Sequence, residues 1–243
     1  VALLLRARAM RSRVVLFCGL LLCCVLLINF QTRSVFLGLA AGLLLLFASL
    51  SEERKRALAA MGFAALLLVG IMLGSPSLRT RFLTGGFSDR LNIWADAALV
   101  IKYQPASHHI TGYGYGHGIF TTVYGYLPKK YIKTRDKKDH AHNMFLETLI
   151  ETGWPGLAAW ILLLATAARN ATRALLRATN PAHRWAIASV SAALVFLVVY
   201  GQFSAFFALA PIFLFWNLLG ILAALCTCVP GSFAPPPSKN LSF

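Results

Sequence analysis

Apolar and polar positions fall into long alternating blocks along this chain. Residues 14–30 form a continuous apolar run, long enough to cross a bilayer given the ~17–25 residues a helix needs. A polar break at 31–34 leads to a shorter apolar run at 35–50, a charged turn at 51–56 and a third run at 57–74, which Ser75-Pro76-Ser77 ends. Hydropathy collapses from 76 to 142. Within that stretch Leu91, Trp94, Ala98 and Ile101 recur at helical spacing, which predicts a helix over about 88–101 capped by Ser88 or Asp89. Apolar character returns at Met144 and runs to Ala168, broken by Gly153-Trp154-Pro155-Gly156. The reading there is a short helix, a kink, and a span at about 155–168. Arg169, Arg173, Arg177, His183 and Arg184 then read as a basic connector to two more spans, at 185–202 and about 206–226. The expectation is an all-α, polytopic membrane helix bundle of about six transmembrane helices with one large, partly helical loop. Three spans lie in 1–75, the loop in 76–142, three spans in 143–228, and a disordered tail in 229–243.

Composition agrees and adds charge. The chain is 58% hydrophobic and 13% charged, far below the roughly one quarter charged of soluble domains. Its net charge of +15 points to anionic partners, lipid headgroups or phosphates. Nucleic acid is not expected, because the charge lies in loops between spans and no nucleic-acid motif accompanies it. Cys18, Cys23, Cys24, Cys226 and Cys228 all sit in or beside apolar runs, as small hydrophobes do. Placing residue 1 in the cytoplasm puts the arginines at 6–13, 54–56 and 169–184 on the inner side and leaves Arg33 alone in a short outer turn. The 76–142 loop then lies outside the membrane, where the positive-inside rule weakens for loops beyond ~60 residues. Its cations need an anion other than the cytoplasmic leaflet.

Several residues are candidates for chemistry. Arg33 is either an interfacial anchor or a phosphate contact, for which the planar guanidinium fork is suited. Arg90 opens the loop helix; Arg79 and Arg81 precede it and are weaker candidates. The run Gly112-Tyr113-Gly114-Tyr115-Gly116-His117-Gly118 lacks the spacing of a nucleotide loop. It reads as a tight turn whose backbone approaches a sugar or phosphate closely, with Gly112 and Gly114 as the contacts. His140 and His142 alternate beside Asp139. A metal site is the weaker reading, because no third strong ligand is spaced nearby. General acid–base work is the better one, since a neutral imidazole accepts a proton near neutral pH. Glu147 and Glu151 follow and either orient an imidazole or cap the helix face. A transport or assembly subunit and a metal-dependent membrane hydrolase remain as alternatives.

His142-Asn143, nine residues, then Gly153-Trp154-Pro155-Gly156 resembles the signature of the O-antigen ligase and O-antigen polymerase superfamily, which includes bacterial protein O-oligosaccharyltransferases. Thr32-Arg33-Ser34 is similar to its short outer turn, Asp89-Arg90 with Trp94 to its arginine-plus-tryptophan loop helix, and Thr111-Gly112-Tyr113-Gly114 through Phe120 to its glycine segment. The resemblance covers about 14–225, in the order of the family's C-terminal half. It departs in the Trp94 position, where ligases often carry leucine, and at His117. About six spans against a usual ten to twelve, with Val1 as first residue, imply an N-terminally truncated or reduced member. The resemblance implies a metal-independent, inverting glycosyltransferase of the bacterial inner membrane, active on the periplasmic face and without a cofactor. The donor it implies is a glycan on undecaprenyl diphosphate. The acceptor is lipid A core, with polymerase or protein glycosylation as alternatives. His142 would be the base and Arg90 and Arg33 would neutralise the diphosphate. Asn143, His140, Arg79, Arg81, Gly112 and Gly114 would bind substrate.

Overall fold

The computed structural model describes residues 33–49, 87–116, 119–125, 127, 139–204, 206 and 209–227. Among the described residues all regular structure is helical: α1 Arg33–Ser49, α2 Phe87–Tyr103, α3 Ala106–Thr111, α4 Ile119–Tyr124, α5 Met144–Arg177, α6 Pro181–Gly201 and α7 Leu209–Thr227. Helices α5, α6 and α7 are long and apolar enough to cross a membrane, and α1 carries a shorter apolar stretch. The spans expected at 14–30 and 57–74, the tail at 229–243, and Arg79 and Arg81 lie outside the described residues. The loop helix expected at 88–101 is α2.

Helix α5 runs 34 residues, or about 51 Å at 1.5 Å per residue, well beyond a ~30 Å hydrocarbon core. Gly153, at φ 71 and ψ −172, divides it. The nine residues before the kink form a separate lead helix, and the part from 154 to Arg177, about 36 Å long, suffices to span. The basic connector expected from Arg169 to Arg184 is a correction: the helix continues through Arg169 and Arg173 to Arg177, and only 178–180 link it to α6. Hydropathy ends at Ala168, but alanine, leucine and arginine are strong helix formers, so helicity persists after apolarity stops. Asn180 then starts α6: its Oδ1 accepts the Ala182 N–H at 2.8 Å, and Pro181 at the first helical position has no N–H to satisfy.

Two small residues seat α1 against α6. A Cβ on Gly38 would come within 2.7 Å of the Phe196 carbonyl oxygen, and one on Gly42 within 2.7 Å of the Ala192 carbonyl oxygen. This is the small-xxx-small packing that lets membrane helices approach backbone to backbone. As α1 advances four residues, α6 recedes four, so the two are antiparallel. Continuing that register brings the start of α1 level with Tyr200. A second core joins α5, α6 and α7 through Trp160, Phe206 and Phe215, whose rings pack at 5.1 to 6.1 Å. A third lies in the loop, where Ile93, Ala97 and Val100 of α2 meet Phe120, Val123 and Tyr124 of α4 together with Ala141 and Ile150. Inside it the Tyr124 hydroxyl donates to buried Asp96 at 3.0 Å.

Candidate active site

The kink in α5 anchors the glycine loop. In an unbroken helix the Ile150 carbonyl would accept from Trp154 and the Glu151 carbonyl from residue 155. Gly153 turns the chain away, and Pro155 has no N–H, so both carbonyls are orphaned. The Tyr113 and Gly114 amides fill them, each at 2.9 Å. The fit is close on both sides. A Cβ on Gly112 (φ 66) would overlap the Glu151 carbonyl, and one on Gly153 would collide with the backbone oxygens of His109 and Ile110. Gly112 donates its own N–H to His108 at 2.9 Å. The amides of Gly112 and Gly114, which the sequence places near a substrate, are therefore engaged within the protein. Neither amide N–H is available to a substrate while those bonds hold.

The turn into α5 is made at His142, whose φ of 51 lies in the left-handed region that non-glycine residues seldom occupy. Such conformations cost on the order of 1–3 kcal/mol and persist where the surroundings enforce them. Asn143, directly after it, is the helix N-cap: its Oδ1 accepts the Phe145 N–H at 3.0 Å and the Leu146 N–H at 3.1 Å. That leaves the Asn143 amide NH₂ as the part able to reach a substrate. His140 stands beside His142, ring centroids 6.4 Å apart. Its Nδ1 lies 2.8 Å from Glu147 Oε1, a distance at which the imidazole N–H donates to the carboxylate. The glutamate expected to orient an imidazole thus serves His140. One turn on, Glu151 bonds the Gly116 N–H; burial, then the neighbouring Glu147 carboxylate, push its carboxyl up to about 7.

The arginines arrive at the same end of the bundle. Arg90 lies in the first turn of α2, and burial pulls its guanidinium below the ordinary arginine value, partly offset by Tyr200 at the end of α6. One turn further, Trp94 packs on Phe203 with centroids 5.7 Å apart. Between those two contact residues, Gly201 backs onto Met144, whose sulfur would lie 2.9 Å from an added Cβ. Met144 follows His142 by two residues. The 200–203 turn therefore connects α2 to the His142 turn, and the α1 register brings the Arg33 backbone to the same level. Arg90 Nη1 and Trp94 Nε1 are both buried and have no hydrogen-bond partner among the described residues. Tyr200 and the Trp94 N–H escaped the sequence reading. An aromatic at a span end is common, and nothing in its spacing pairs it with a loop arginine 110 positions earlier.

Among the described residues no three histidine, cysteine or carboxylate side chains converge as metal ligands. The arrangement offers a strained histidine, a carboxylate-paired second histidine and, linked to them through the 200–203 turn, two donors unmatched among the described residues. Comparison with known proteins shows that the O-antigen ligase family model matches residues 18–161, more than half of the chain. No curated protein and no solved structure matches it. The matched region runs from before α1 to Ile161 in α5, and so takes in Arg33, Arg90, Trp94, the glycine loop, His142 and the kink. The chain is an integral membrane protein that belongs to the O-antigen ligase family, whose chemistry is glycosyl transfer of the ligase and polymerase type.

Proposed function

We propose that the chain transfers a glycan from undecaprenyl diphosphate to an acceptor hydroxyl at the periplasmic face of the bacterial inner membrane, with lipid A core as the acceptor. The observation that carries this reading is the pair of buried donors on α2, Arg90 Nη1 and Trp94 Nε1, without partners among the described residues. An unsatisfied buried donor costs about 1–3 kcal/mol, and native proteins seldom keep two on adjacent turns without use. A diphosphate supplies several acceptor oxygens at once, and a guanidinium matches it in charge and in shape.

In this mechanism the His142 imidazole takes the proton of the acceptor hydroxyl. The hydroxyl oxygen bonds to the anomeric carbon as that carbon's bond to the phosphate oxygen breaks, so the configuration inverts. The electron pair leaves on undecaprenyl diphosphate, whose growing negative charge Arg90 and Arg33 offset without a metal. Asn143, through its free NH₂, holds a sugar hydroxyl. The Glu147 contact fixes the tilt of His140, which lines the acceptor side. Arg79, Arg81, Gly112 and Gly114 complete the donor cradle, the two glycines by shape.

The test is expression in a bacterium deleted for its own ligase, with lipopolysaccharide resolved on gels. Wild type is expected to restore capped lipopolysaccharide. His142→Ala should lower transfer by about 10²–10⁴-fold and Arg90→Ala by about 10²–10³-fold. Normal capping by the His142→Ala variant would remove the base role. A lengthened lipid-linked glycan or a glycosylated protein, in place of capping, would move the acceptor to the polymerase or protein-glycosylating reaction.

A further inference from the structure

The opposite end of the bundle carries cations that glycan transfer does not use. Arg169, Arg173 and Arg177 are exposed at i, i+4 and i+8 on α5, one face of the helix in steps of about 6 Å. His183 and Arg184 follow in the first turn of α6, and His183 Nε2 and Arg184 Nε are buried without a hydrogen-bond partner among the described residues. From Thr152 to Phe243 the sequence contains no aspartate or glutamate, so this part of the chain supplies no side-chain counter-ion. The sequence at 51–56 holds two glutamates and three basic residues, and so leaves no excess of negative charge.

Depth sharpens the point. From Trp154 to Ala168 the apolar part of α5 has 15 residues, about 22 Å, short of the ~30 Å core. Arg169 therefore starts below the far headgroups and has to draw phosphate toward itself or snorkel out to it. Its face also carries Leu162, 66% exposed, and Leu176, 81% exposed, seven residues on either side of it. A surface that alternates bare leucine with bare arginine faces lipid rather than water. Beside that face lies an apolar cavity of about 290 Å³. Ala168 and Thr172, both exposed and each one residue from Arg169 or Arg173 in sequence, line it together with Leu164 and Val198.

We infer that Arg169, Arg173 and Arg177, with Arg184, bind the phosphodiester headgroup of an anionic phospholipid whose acyl chain enters this cavity. Several guanidiniums in a row favour a lipid with two phosphates, such as diphosphatidylglycerol, over one with a single phosphate. The site is independent of glycan transfer and stands if that reading fails.

The experiment uses the full chain in detergent and native mass spectrometry, with diphosphatidylglycerol, phosphatidylglycerol and phosphatidylcholine as probes. Wild type should retain the first most strongly and the last least. The R169Q/R173Q/R177Q variant should lose retention of diphosphatidylglycerol on the order of a hundredfold, three cations at the usual value for a basic residue near an anionic surface. The corresponding lysine variant, which keeps the charge, should recover most of it. Ala168→Phe should weaken retention by filling the cavity rim, with the charge unchanged. Lys102→Gln, an exposed cation on the loop helix α2, should change nothing. Equal retention of all three lipids by wild type, or equal retention of diphosphatidylglycerol by wild type and the glutamine variant, overturns the proposal. So does loss of every adduct on adding inorganic phosphate alone, which would mean binding of an adventitious ion only.

Discussion

A single side-chain atom separates two roles for Trp94. Its ring packs on Phe203, while its buried N–H has no acceptor among the described residues. Trp94→Phe keeps an aromatic ring for the packing and removes the donor. If the N–H meets the donor's phosphate, KM for the lipid-linked donor should rise roughly 3–10-fold, the worth of one hydrogen bond, while thermal stability holds. Steady-state kinetics with melting of the same preparation check this; unchanged KM with a lower melting temperature would make the residue structural. Glu151 offers a second residue-scale test. Its carboxyl is pushed from 4.5 to about 7 by burial and Glu147, so the folded protein favours the protonated form. The resulting stability is fully present below the unfolded value and is lost as pH rises through about 7. Wild type should therefore lose thermal stability between about pH 5 and about pH 8, and Glu151→Gln should flatten that slope. Melting curves across the range give the answer, and parallel slopes would defeat the assignment.

At the scale of elements, the kink in α5 and the glycine loop are one device. Gly153→Ala places a Cβ against the His109 and Ile110 carbonyls at a φ of 71, so it should cost at least about 1–3 kcal/mol. The loss should show as hydrogen exchange at the Tyr113 and Gly114 amides, which hang on the orphaned carbonyls of α5. Protection retained at both amides would separate the two elements. The kink itself was legible in Gly153-Trp154-Pro155-Gly156, and α2, α6 and α7 fall close to the helices that hydropathy and periodicity predict. The partner of the kink was not. Pro155 announces that the Glu151 carbonyl lacks a donor, yet which distant amide supplies one is a tertiary fact. The same limit hid the continuation of α5 through Arg169, since hydropathy measures where a helix leaves lipid and not where it ends. His142 and Arg90 were legible as candidates, from residue type and from the family resemblance. The left-handed turn at His142, and the use of Asn143 as its cap, depend on how the loop meets α5.

Across the whole molecule, the first and last thirds of the described chain meet at α1 and α6. Close approach specifies that contact, through Gly38 and Gly42 against Phe196 and Ala192. The α1–α6 register also brings the Arg33 backbone level with Tyr200, and so to the end where Arg90 and His142 lie. Assembly of the site thus depends on helix packing several turns inside the bundle, away from any reacting group. Gly38→Leu should separate α1 from α6 and lower glycan transfer severalfold or more, since small misplacements of a positioned charge are costly to rate. The loop core around Ile93, Tyr124 and Ala141 shares no residue with that contact, so its amides should keep their protection. Transfer assays read beside hydrogen exchange distinguish the outcomes. Lost transfer with an intact loop places the fault in the α1–α6 contact. Unchanged transfer would mean that Arg33 does not act at the donor, and that the leaving diphosphate is offset by Arg90 with the remaining cations of the donor cradle.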